Sequence, residues 1–146
     1  MRTQSEIAIV LFVVAIVLSV PAVRFFRARR VVSGLREKRV PGAAAFAASL
    51  GRPSDDPVAM ATFMALREEC GDELDYVRAD DDLGHLYGIV GEDLDDVLYS
   101  TARRIFDDDA KRILEGHYLT LKTPREIVDF VSSLARRTEV ARHPAE

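Results

Sequence analysis

Residues Ile7 to Val23 form one unbroken apolar run, and a cluster of arginines follows directly behind it. The run holds 12 Ile, Val, Leu or Phe, three Ala, one Ser and one Pro, and no charge. Seventeen helical residues span about 25 Å, and continuing through Phe26 brings this to about 30 Å, the thickness of one hydrocarbon core. At about −0.3 to −0.6 kcal/mol for each large apolar residue near a helix centre, insertion is favoured by several kcal/mol. The expected organisation therefore begins with a transmembrane anchor over 1–23, spanning about 7–23. A basic juxtamembrane helix over 24–40 follows, in which Arg24, Arg27, Arg29 and Arg30 sit at the membrane interface and Arg24 snorkels to the headgroups.

A cleaved signal peptide is the competing reading. Its first residues should be basic, yet Arg2 is offset by Glu6, and Ser19-Val20-Pro21-Ala22 only loosely resembles a small-residue cleavage site. Behind the run stand Arg24, Arg27, Arg29, Arg30, Arg36, Lys38 and Arg39 against the single acid Glu37. Such a basic flank stays in the cytoplasm. The expectation is a single-pass protein of the cytoplasmic (inner) membrane, with the N-terminus outside and everything after Val23 cytoplasmic.

The net charge of −4 hides a strong asymmetry, because residues 55–109 carry 17 acids against four arginines. An acidic domain repels nucleic acid, so no nucleic-acid partner is expected. The single cysteine, Cys70, excludes an internal disulfide framework and suits a reducing compartment. After the anchor there is room for one small domain.

Pro41-Gly42 should end the basic helix, and residues 41–57, rich in Ala, Gly, Pro and Ser, read as a tether, with a short helix over Ala43 to Leu50 as an option. From about Pro57 to Cys70 an apolar stripe of Ala59, Phe63, Leu66 and Cys70 predicts a helix, N-capped by Asp56 and ended by Gly71. Residues 72–91 mix acids and glycines with scattered apolar residues and read as a long loop. A second helix is predicted from about Glu92 to Phe106, with Leu94, Val97, Leu98, Thr101 and Ile105 on one face. Its acids lie at the N-terminal end and Arg103-Arg104 at the other, as the helix dipole prefers. Asp107 to Asp109 mark a turn and cap for a short helix through about Glu115. Thr123-Pro124-Arg125-Glu126 is a capping box with proline at the first helical position, opening a helix that turns Ile127, Phe130, Val131 and Leu134 inward. Residues 136–146 read as a tail. No segment alternates long enough to build a sheet. The expected fold is all-α, with a domain over 58–135 of three main helices and one short helix.

That order, with its long first loop, resembles an acyl carrier protein. Residues 83–98, Leu-Gly-His-Leu-Tyr-Gly-Ile-Val-Gly-Glu-Asp-Leu-Asp-Asp-Val-Leu, are similar to the carrier pattern of an apolar loop residue, then Asp-Leu-Gly, then Asp-Ser-Leu opening the second helix. Thr123 to Val131, with Ile127, Asp129 and Phe130, resembles the carrier's final helix. The resemblance places the phosphopantetheine-bearing serine at Gly91 or at Asp93, depending on the alignment, and neither has a hydroxyl. Ser100, the nearest serine, lies two turns further into the helix. Gly91-Glu92-Asp93 is closer to an acyl-carrier-like bacterial family of unknown function with Gly-Asp-Asp near that position. The resemblance thus implies a carrier fold without the phosphopantetheine cofactor. It also implies that Glu92, Asp93, Asp95 and Asp96 dock a basic protein partner, while the plainer reading gives them to the helix dipole alone.

No motif points to catalysis. An EF-hand register starting at Asp81 puts Glu92 at position 12 but Leu83, His85 and Leu86 at 3, 5 and 6, so it fails. His85, His117 and His143 lack zinc-ligand spacing, so no metal is expected. Cys70 falls on the apolar stripe and reads as a small hydrophobe. Neither a phosphate-cradling glycine loop nor a nucleophile elbow is present, and no small-molecule substrate is indicated. The expected function is a membrane-anchored, non-catalytic interaction module that presents an acidic helix to a partner. A genuine acyl carrier of lipid or envelope synthesis, and an unrelated membrane adaptor with a helical bundle, are the alternatives.

Overall fold

A computed structural model describes residues 32–117 and 120–142 of the chain. All regular structure among them is helical. The apolar run over 7–23 and the interface arginines Arg24, Arg27, Arg29 and Arg30 lie outside the described residues. Among the described residues no helix is long and apolar enough to cross a membrane.

Six α-helices follow in order: α1 (Ala43–Ser49), α2 (Pro57–Cys70), α3 (Leu83–Tyr87), α4 (Glu92–Phe106), α5 (Ala110–Leu114) and α6 (Pro124–Arg142). Two 3₁₀ turns, Asp72–Tyr76 and Asp107–Asp109, fill the connections, and residues 32–36 are helical as well.

Helix α2 is the centre of the bundle and packs against α1, α4, α6 and the first 3₁₀ turn. It starts where the sequence says it should, with Pro57 at the first helical position and the Asp56 carboxylate accepting from the Ala59 amide at 2.8 Å. Ala59, Phe63 and Leu66 of the expected stripe are buried, but so are Val58, Ala61, Thr62 and Ala65. A single stripe serves a helix with one packed face; α2 has neighbours on several sides. Small residues at Ala59, Ala61 and Ala65 let them approach, and the buried Thr62 hydroxyl is satisfied by donating to Val58 O at 2.9 Å.

Helix α4 occupies the predicted residues and buries Val97, Leu98, Thr101 and Ala102, with Leu94 and Ile105 partly covered. The capping box of α6 closes in both directions. The Glu126 amide donates to the Thr123 hydroxyl at 3.3 Å, and the Thr123 amide donates to the Glu126 carboxylate at 3.0 Å. Ile127, Val128, Val131 and Leu134 are buried, while Phe130 is only half-buried and meets His117 edge-on with ring centroids 5.4 Å apart.

Three stretches differ from the sequence expectation. The tether over 41–57 contains α1, whose Phe46 is fully buried and packs on Phe63 with centroids 5.6 Å apart. The optional short helix over Ala43 to Leu50 therefore forms, and what the tether reading did not expect is its place in the core: one large side chain and small neighbours suffice for a helix that lies close against α2. The long loop over 72–91 contains a 3₁₀ turn and α3, which is too short to show a helical period. Asp82 caps α3, accepting from the His85 amide at 2.7 Å, and Gly88 ends it at φ 75°. The tail begins later than expected, because α6 runs on to Arg142. Asp109 precedes α5 without capping it through its side chain, which pairs with Arg112 instead at 3.0 Å.

Replacing Phe46 by alanine decides whether α1 is part of the bundle. Loss of a buried ring in this core should cost about 3–5 kcal/mol in urea unfolding of the full chain, whereas a tether residue would cost almost nothing.

Candidate functional site

The carboxylates singled out by the sequence come together on one short surface. Glu92, Asp93, Asp95 and Asp96 occupy the first turns of α4, and all four are exposed. No ion pair among the described residues involves any of them. Several other acids are used within the fold: Asp56 and Asp129 pair with Arg52, Asp72 and Asp75 with Arg67, Asp80 with Arg125, and Glu68 with Arg104. The α4 carboxylates are held on a rigid element with the helix dipole as their internal compensation.

Gly91 precedes α4 at φ 57°, ψ −118°, with no side-chain cap. A Cβ added there would meet nothing, yet the backbone conformation itself disfavours any L side chain. Asp93, the other position aligned with the carrier serine, is an exposed first-turn residue. Ser100 stands apart from both, in a polar notch of about 380 Å³ with Glu68, Arg103, Arg104, Asp107 and Asp108.

Beside the acidic turn lies a groove of about 510 Å³, which sequence reasoning missed. Ile89, Val90, Leu94 and Leu121 form its apolar walls, and Asp82, His85 and Lys122 supply polar edges. Val90 is 48 % exposed there. The chain segments that build it are held by two backbone bonds, Leu83 N to Lys122 O at 2.9 Å and Ile89 N to Leu83 O at 3.1 Å. Only tertiary pairing brings Leu121 beside Leu94, so no local pattern announced it.

The second feature missed is a buried carboxylate. Asp81 is 7 % exposed and accepts from Arg39 twice, at 2.6 and 3.0 Å, from the Arg78 amide at 2.9 Å and from the Tyr87 hydroxyl at 3.1 Å. Burial and the neighbouring carboxylate push the Tyr87 phenol well above its ordinary 10.0. The hydrogen bond to Asp81 holds the Arg39 guanidinium above its usual range. Arg39, read from sequence as a membrane-flank cation, thus serves inside the fold. It is joined there by Val32, which is buried, by Arg36 over the Tyr76 ring at 5.8 Å, and by the bonds from Arg78 to Val40 O and from Gly42 N to Asp75 O.

The Cys70 thiol is pushed up to about 11, first by burial and then by Asp93, Glu69 and Asp96. It is therefore a thiol rather than a thiolate at neutral pH and a poor nucleophile. Among the described residues no cluster of three or more His, Cys, Asp or Glu is placed to hold a metal ion. No family model matches the chain, and neither does any curated protein or solved structure.

Two tests address the Asp81 network. Arg39→Met leaves a buried carboxylate without its cation and should cost about 3 kcal/mol in urea unfolding. Tyr87 gives a pH signature. A phenol whose folded pKa is raised stabilises the fold fully below its unfolded value of about 10 and loses that contribution as pH rises through the folded value. The stability gap between the native chain and Tyr87→Phe should hold constant up to pH of about 10 and narrow above it.

Proposed function

We propose that this chain is a membrane-anchored, non-catalytic interaction module of acyl-carrier-like form, which offers the start of α4 to a basic protein partner at the cytoplasmic face of the membrane. The observation that carries the proposal is the exposure of Glu92, Asp93, Asp95 and Asp96 on one rigid helix start with no ion pair among the described residues. Unpaired like charges held close together repel one another, and a cationic partner relieves that repulsion while gaining orientation and a faster encounter. The apolar run over 7–23 supplies the anchor in this reading, and the basic flank behind it sets the orientation.

The non-carrier part rests on chemistry. A phosphopantetheine arm is a phosphodiester to a hydroxyl oxygen, and Gly91 and Asp93 have none. Serine at position 91 would moreover have to adopt a positive φ. The intact mass of the protein co-expressed with a phosphopantetheinyl transferase should be unchanged; an added arm would make this a membrane-tethered carrier.

Substituting Glu92→Gln, Asp93→Asn, Asp95→Asn and Asp96→Asn together should lower cross-linked capture of membrane partners about tenfold at low salt, with the difference shrinking as salt is added. Capture that persists unchanged would remove α4 as the docking face.

A further inference from the structure

Residues 32–42 belong to the domain rather than to the lead into it. Residues 32–36 are helical, Val32 is buried in the core and Leu35 packs against that core. Behind them Arg39 closes on Asp81 at 2.6 and 3.0 Å and donates to Tyr76 O at 3.1 Å, and the Gly42 amide donates to Asp75 O at 2.9 Å. Arg36 covers the Tyr76 ring, and Arg78 reaches back to Val40 O. The segment is thus attached at both ends and in the middle. Instead of a lead over 24–57, only residues 24–31 stand between Val23 and the buried Val32.

We infer that residues 32–42, clasped by Arg39 on Asp81, are a strap that holds the domain close to the bilayer on a short lead and so limits how far the acidic turn of α4 can reach. This rests on the reading of residues 7–23 as the membrane anchor. At about 3.5 Å per fully extended residue, Val32 stands no more than about 30 Å from Val23. A lead free as far as Pro57 would allow about 120 Å, and a strap released back to Gly42 about 70 Å. A domain of roughly 100 residues has a radius of gyration of about 13 Å, so the strapped lead is no longer than the domain is broad. A basic partner surface is then met only near the membrane, and one carried far into the cytoplasm is out of range. The clasp is hard to open, because Asp81 is buried and release of Arg39 leaves its charge uncompensated. The short lead is the resting state.

The test reads distance by energy transfer in phosphatidylcholine nanodiscs, from a donor on Ala44→Cys to an acceptor on lipid headgroups. Ala44 is an exposed residue of α1, and the background is Cys70→Ala. Three full-length chains are compared: the strapped chain, the chain with about a dozen Gly-Ser residues inserted between Arg30 and Val31, and Arg39→Met. For a flexible chain, that insertion lengthens the root-mean-square span of a lead over 24–31 about 1.6-fold, but that of a lead running free to Pro57 only about 1.2-fold. Transfer should therefore fall sharply on insertion, and Arg39→Met, folded by circular dichroism, should fall towards the same level. An insertion that barely alters transfer would overturn the short lead, and a folded Arg39→Met with undiminished transfer would overturn the clasp. The insertion lies outside the strap, so it decides the matter even where Arg39→Met fails to fold. A chain that does not stay with the nanodisc on gel filtration would overturn the anchor reading, and this inference with it.

Discussion

Asp81 is the constraint on which the arrangement of the acidic half of the molecule depends. A carboxylate taken out of water at 7 % exposure demands compensation, and it receives it from Arg39, the Arg78 amide and Tyr87. Those donors come from the basic segment, the loop after the first 3₁₀ turn, and α3. One buried charge thereby ties together three pieces of chain that also bury Val32, Val77, Leu83 and Tyr87 in the core. The basic segment is not a free lead into the domain at its described end; it is strapped across it by Arg39, Val40 and Gly42.

Charge is used in two ways along this chain. Arg52, Arg67, Arg104 and Arg125 each tie an acid to a neighbouring element or turn, and Arg125 adds bonds to Ser49 O and Leu50 O at the end of α1. Exposed pairs of this kind contribute little individually, about 0–1 kcal/mol, and their effect is mainly to hold register. The α4 quartet, like Asp107 and Asp108, is exposed and in no ion pair among the described residues. Its nearest cost falls on Cys70, whose thiol is kept protonated partly by Asp93 and Asp96. The groove next to it is walled mainly by aliphatic side chains, where the turn is anionic.

Legibility followed the range of the interactions involved. Asp56 before Pro57, the Thr123–Glu126 box and the charge polarity of α4 are local signals, because each satisfies backbone groups or a dipole within one turn. The limits of α2 and α4 and the start of α6 were read correctly from them. The short helix offered over Ala43 to Leu50 is present as α1, but the burial of its Phe46 and the helix holding Leu83 and Tyr87 went unread, because elements this short show no period. Arg39 was assigned by its company in the sequence to a lipid surface, yet its partner lies 42 residues away. The polar Thr101 and Thr62 fitted apolar faces since their hydroxyls bond back to their own helices. The groove had no sequence signature at all: Ile89, Val90 and Leu121 are ordinary aliphatics until the Leu83–Lys122 backbone bond sets two loops side by side.

The sequence by itself determined the all-helical character, the limits of α2 and α4, the start of α6 and the concentration of acid at the head of α4. These follow from backbone capping, helical periodicity and helix dipoles, all of which act within a few residues. Only the tertiary structure decided that α1 belongs to the core, that Arg39 serves Asp81, and that an apolar groove opens beside the acidic turn. Burial of Phe46 and Asp81 and the placing of Leu94 and Leu121 on one groove depend on distant segments, and their free energy exists only once the chain has closed on itself.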